Sequence, residues 1–151
     1  MNKQLYSDLE TLKHIGKVRD NISVLVKELL ERAREHDKSK LESPEKEIFA
    51  EYAEELDKTE YGTEAYRTLL EKVKPAIDHH YSVNKHHPQH HKNGIDDMCL
   101  IDICEMLMDW LASSSRTKCG NIRKSIDINA ERFKISPQLK TILENTIKKY
   151  F

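Results

Sequence analysis

Residues 3–35 read KQLYSDLETLKHIGKVRDNISVLVKELLERARE, and their apolar members decide the fold class. Leu5, Leu9, Leu12, Ile15, Val18, Ile22, Leu25 and Leu29 recur every three or four residues, the period of one face of an amphipathic helix. The spacing predicts a long helix from about Lys3 to about Glu35, with a bend at Gly16 or Asp20-Asn21. Further along, Ser43-Pro44 reads as an N-cap followed by proline at the first helical position, opening a helix to about Leu56. Thr63 reads as the cap of a helix from Glu64 to about Tyr81. Ser82 to Gly94 holds Pro88, Asn93 and Gly94 and reads as loop. Met98, Ile101, Cys104, Leu107, Met108 and Leu111 mark a helix starting at Asp96 or Asp97. Asn121 to Phe133 forms another, and Ser136-Pro137 opens the last. Four glycines and four prolines in 151 residues leave little turn chemistry for a sheet. The expectation is an all-α, single-domain bundle of about six helices spanning residues 1–151.

Lys plus Arg (25) nearly cancel Asp plus Glu (26), so no broad basic field exists to hold nucleic acid. Cys99, Cys104 and Cys119 lack CxxC spacing and read as reduced thiols, mostly core filler. The first ten residues carry no apolar leader, and no window approaches the ~20 apolar residues that span a bilayer. A cytoplasmic protein without a membrane partner is expected. Tyr52, Tyr61, Tyr66, Tyr81, Trp110 and Phe133 fall at helical spacing and read as core. Asn129, Arg132 and Asn145 read as structural or surface polar groups.

The chemistry is concentrated elsewhere. Six of the eight histidines form three adjacent pairs, His79-His80, His86-His87 and His90-His91, just ahead of a helix carrying Asp102, Glu105 and Asp109. Those carboxylates are three, four and seven residues apart and share one stripe. Met106, Leu107 and Trp110 on the flanks turn part of that stripe into the bundle, where like charges need a cation. His80 shares a face with Val73, Ile77 and Asn84 and points inward; His79 points about 100 degrees away. His90-His91 read as the pair most apt to be a surface tract. His36-Asp37 closes the first helix, and adjacent His and Asp can reach one ion, or Asp37 can bridge two. These residues could hold one or two divalent ions, with Mn, Fe, Zn or Mg all open.

The order His14, His36-Asp37, His79-His80, His86-His87 and a late helical carboxylate resembles the HD-domain superfamily of metal-dependent phosphohydrolases. His36-Asp37-Lys38-Ser39-Lys40 is similar to the His-Asp-x-Gly-Lys form common there, with Ser39 at the glycine position. Thr11-Leu12-Lys13-His14, His36-Asp37-x-Ser39-Lys40, His79-His80 through Asn84-Lys85-His86-His87, and Glu105-Met106-x-x-Asp109 look closer still to a family of small uncharacterised phage and bacterial proteins. The superfamily resemblance implies a first metal site of His14, His36, Asp37 and a late carboxylate. It implies a second from His79 or His80 with His86 or His87. A continuous helix would put ~33 Å between His14 and His36. His14 then joins only if the chain breaks or if it reaches a neighbouring subunit in a homo-oligomer.

The function these expectations favour is metal-assisted hydrolysis of a phosphate ester, including nucleotides and cyclic nucleotides, with Asp37 and Lys40 in the catalytic centre. Lys40 and Arg116 are the candidate phosphate contacts. Two alternatives use the same residues: an HD-like diiron oxygenase, or a non-catalytic phage protein that binds a host partner and uses metal only to hold its loop.

Overall fold

A computed structural model describes residues 2–59, 63–116 and 120–151. Tyr61 and Cys119 lie outside the described residues. The described residues form six α-helices and no strand: α1 (Lys3–Glu35), α2 (Glu45–Lys58), α3 (Glu64–Val83), α4 (Leu100–Ser114), α5 (Ile122–Arg132) and α6 (Pro137–Tyr150). Short 3-10 turns at Lys38–Leu41, Pro88–His90 and Gly94–Asp97 link them. The all-α expectation holds. No helix among the described residues is long and apolar enough to cross a membrane.

Contacts divide the chain into two compact units, Met1–Glu35 and His36–Phe151. The first is α1, which runs unbroken through Gly16 and Asp20-Asn21. Its apolar stripe, from Leu5 through Leu25, is exposed. In the second unit, Met106, Leu107 and Trp110 of α4 pack with Ile126 of α5, Ile135, and Leu143 and Ile147 of α6. α2 packs along α3, whose Leu69, Val73 and Ala76 are buried.

Helix caps follow their local chemistry in three places. Thr63 Oγ1 accepts from Tyr66 N–H, Ser136 Oγ accepts from Leu139 N–H, and Asn121 Oδ1 accepts from Arg123 N–H. Two expected starts move. Ser43 does not cap α2: the Ser43-Pro44 bond is cis, Pro44 takes the cap position, and Glu45 is the first helical residue. α4 begins at Leu100 rather than Asp96 or Asp97, because Asp102 Oδ2 accepts from Cys99 N–H and fixes the helix start there. Cys99 and Cys104 are exposed free thiols rather than core filler. α4 buries Ile101, Asp102, Met106, Leu107 and Trp110 instead, which turns Cys104 outward.

Candidate metal centre

Three chain segments bring the site together within the second unit. The first follows α1 directly. Asp37 adopts φ 57°, ψ 15°, the left-handed region, which stops helical propagation and which Asp tolerates better than most residues. The 3-10 turn then folds Lys40 back, so that its ammonium lies 2.6 Å from Asp37 Oδ2. The second segment is the C-terminal end of α3. Asn84 caps it, its side-chain amide donating to the His80 carbonyl and to Ser39 Oγ, which ties this end to the Lys38–Leu41 turn. His86 and His87 follow in the turn. The third segment is α4, whose apolar face enters the core while Glu105 and Asp109 project from its other side.

Two glutamates orient the imidazoles. An ionised carboxylate only accepts, so each ring nitrogen bonded to one carries the proton. Glu105 Oε1 lies 2.9 Å from His36 Nδ1 and 3.2 Å from His86 Nδ1. Glu45, fully buried, spans two more rings: Oε1 is 2.7 Å from His79 Nδ1, and Oε2 is 2.9 Å from His80 Nδ1. The Nδ1–H groups of His36, His80 and His86 are thereby used, and their Nε2 lone pairs are left to face one another across Asp37. Carboxylates bonded to the far nitrogen commonly fix histidine ligands of metals in this way.

Asp37, His80, His86 and His87 form one cluster that could hold an ion, each offering one atom within 4.8 Å of the others. Asp37 Oδ1 stands 3.3 Å from His80 Nε2 and 3.5 Å from His86 Nε2. Asp37 Oδ1 and His86 Nε2 are both buried and neither has a hydrogen-bond partner. Two acceptors aimed at each other in a protein interior are unfavourable without a cation between them. Donors ~2.0–2.1 Å from a tetrahedral ion stand ~3.4 Å apart, close to the spacing here. His80 Nε2 and His87 Nε2, at 2.8 Å, would open by roughly half an ångström to share the same ion. A second group, His36, Asp37 and Asp109, meets the same test. His36 Nε2 is 3.6 Å from Asp37 Oδ2 and 3.8 Å from Asp109 Oδ1. A third, His36, His86 and Glu105, is the bonding of both Nδ1 atoms to Glu105 described above.

The family of unknown function DUF5662 matches residues 3–149. The chain belongs to the DUF5662 family. No curated protein and no solved structure matches it.

The electrostatics of this DUF5662 protein suit ion binding. Burial pushes the Asp37 carboxyl up, but the His80 ring beside it, the bonded Lys40 ammonium and the charge of His36 outweigh it and hold it well below the usual carboxylate range. Burial likewise raises Glu45, and bonds from His79, Ser39 and His80 bring it below its ordinary value. His36 is raised, chiefly by its bond to Glu105, against burial and with help from Asp37 and Asp109. Burial, together with His86 and His80, pulls His87 down to about 3, which keeps that ring neutral and able to donate a lone pair.

Of the residues singled out from sequence, the groups that could hold a metal unite His36, Asp37, His80, His86, His87, Glu105 and Asp109. Those groups do not include His14, His79 or Asp102 among the described residues. His14 is exposed on α1, where 21 residues of continuous helix, ~31 Å of axis, separate it from Glu35. His79 bonds Glu45, and Asp102 is spent on the α4 cap. His90 Nδ1 donates to the Tyr81 carbonyl and His91 Nε2 to that of Lys85, so this pair straps the loop. Arg116 is exposed beyond the end of α4. Sequence reading missed Glu45. The only signal was a carboxylate at the first turn of α2, which resembles an ordinary helix-dipole partner.

Proposed function

We propose that this DUF5662 protein is an HD-like, metal-dependent phosphohydrolase acting on a phosphate ester, with nucleotides and cyclic nucleotides the first substrates to test. The observation that carries the metal requirement is the facing pair of buried, unpartnered acceptors, Asp37 Oδ1 and His86 Nε2. Three imidazoles and a carboxylate suit Mn, Fe or Zn; Mg, which prefers oxygen donors, fits poorly. When bound, such an ion supplies Lewis acidity to a water and to the phosphoryl oxygens.

The protein's own groups supply the remainder. Lys40, with a side chain 42% exposed, can swing from Asp37 to a phosphoryl oxygen and offset its charge. Asp109, partly exposed beside His36, would accept a proton from the attacking water as long as it ligates no second ion. Glu45 and Glu105 hold the rings in register throughout.

The test is phosphate release from p-nitrophenyl phosphate, nucleoside monophosphates and cyclic nucleotides by protein loaded with Mn2+, Fe2+ or Zn2+. Turnover that disappears in Asp37→Asn, with helical circular dichroism retained, is expected. Fully metallated protein that turns over none of these substrates would overturn the hydrolase reading. Metal-dependent melting without turnover would point to a binding module, and an oxo-bridged diferric absorption band to oxygen chemistry.

A further inference from the structure

The two metal-capable groups share Asp37 but differ in what already occupies them. In the first, Asp37 Oδ1 and His86 Nε2 have no partner, and His86 is almost wholly buried. In the second, the aspartate oxygen nearest His36 is Oδ2, 3.6 Å from Nε2, and that oxygen already holds the Lys40 ammonium at 2.6 Å. The 3-10 turn makes this ion pair local: Lys40 N–H donates to the Asp37 carbonyl while its side chain returns to the carboxylate of the same residue. A divalent ion bound among His36, Asp37 and Asp109 would compete with that ammonium for Oδ2. Like charges at such a separation repel strongly when partly buried.

We propose that Lys40 stands in for a second cation, so that the protein holds one resident ion, at Asp37, His80, His86 and His87. The His36, Asp37 and Asp109 group is a latent second site. It takes a divalent ion only when Lys40 leaves Oδ2, the movement by which Lys40 would reach an anionic substrate. This rests on the metal-centre reading above, and adds the number of ions and the residue that limits it. Lys40 has the exposure such a movement needs. His36 is already oriented, its Nδ1 fixed by Glu105 and its Nε2 turned toward Asp37 and Asp109.

The experiment counts Mn2+ bound to the purified chain by the loss of the free-ion electron paramagnetic resonance signal. Wild type is expected to bind one equivalent tightly, and Lys40→Met two, the second adding the spectrum of a spin-coupled pair bridged by Asp37. The double variant Lys40→Met, His36→Gln should return to one. Two tight equivalents in wild type, or one in Lys40→Met with its helical circular dichroism intact, would overturn the assignment. A second equivalent that survives His36→Gln would overturn it too, by showing binding elsewhere. No tight Mn2+ in either protein would overturn the metal centre itself, which is a distinct result.

Discussion

His36, His80, His86 and His87 lie inward around Asp37, whereas His79, His90 and His91 lie toward the outside of the same unit, and the two sets use the same side chain oppositely. Among the inner rings, His36, His80 and His86 give Nδ1–H to a glutamate and keep Nε2 for the interior. The outer three spend a ring nitrogen on Glu45 or on a backbone carbonyl and serve as braces. Histidine content alone therefore does not make a site: His79 and His80 both bond Glu45 through Nδ1, and what separates them is that the Nε2 of His80 faces Asp37. Glu45 joins the sets, bonding an outer ring with one oxygen and an inner ring with the other.

The largest expected effect comes from breaking the inner set at its centre. Asp37→Ala and His86→Leu should each abolish tight metal binding, read by plasma mass spectrometry after gel filtration, and turnover with it. Next is the response of metal-free protein to acid. His87 is neutral in the fold down to about pH 3 but protonates in the unfolded chain near 6.5, so below 6.5 the unfolded state binds more protons. Stability should fall as pH drops from 6.5 toward 3, by on the order of 4 kcal/mol over the window. His87→Gln should flatten the part above pH 4.5, where Glu45 and Asp37 do not yet contribute; a Tm profile unchanged by the substitution would contradict the buried neutral ring. Above pH 6.5 the sign reverses: the raised His36 contributes stability present below 6.5 and lost as pH rises through its folded pKa.

Smaller effects separate the two sets. Glu45→Gln keeps the shape of the side chain but weakens the hold on His80, and should reduce metal affinity ~10–100-fold by calorimetric titration. Asp102→Ala removes an α4 cap and should cost ~1 kcal/mol in denaturant unfolding while leaving metal content unchanged. Its neighbours on the helix, Glu105 and Asp109, should not behave this way. Least of all, the paired change His90→Ala, His91→Ala should leave metal content and affinity alone and cost about 1 kcal/mol per lost strap. Loss of the ion from that variant would dissolve the distinction between inner and outer histidines.

Helix number and most boundaries were legible because apolar period and capping residues act locally: α1 and the Thr63 and Ser136 caps needed no tertiary information. The exposure of α1's stripe was not legible, since period reports which residues share a face and says nothing of whether anything covers it. His80's inward direction and the divergence of His79 followed from helix geometry alone. Choosing among Asp102, Glu105 and Asp109 did not, because all three share the stripe, and a local bond to Cys99 N–H removes Asp102 from consideration. Glu45 lay beyond sequence reasoning for a similar reason. Its role exists only where α2's first turn meets the end of α3, 34 and 35 residues away in sequence.

The central claim is that Asp37, His80, His86 and His87 coordinate an ion directly. X-ray absorption at the metal edge of protein loaded with one equivalent of Zn2+ or Mn2+ tests it most plainly. The account predicts a first shell containing about three imidazole nitrogens with a carboxylate oxygen, at ~2.0–2.2 Å, and multiple-scattering features from the rings that diminish in His86→Leu. A shell of oxygen scatterers alone, or one unchanged by His86→Leu, would contradict it.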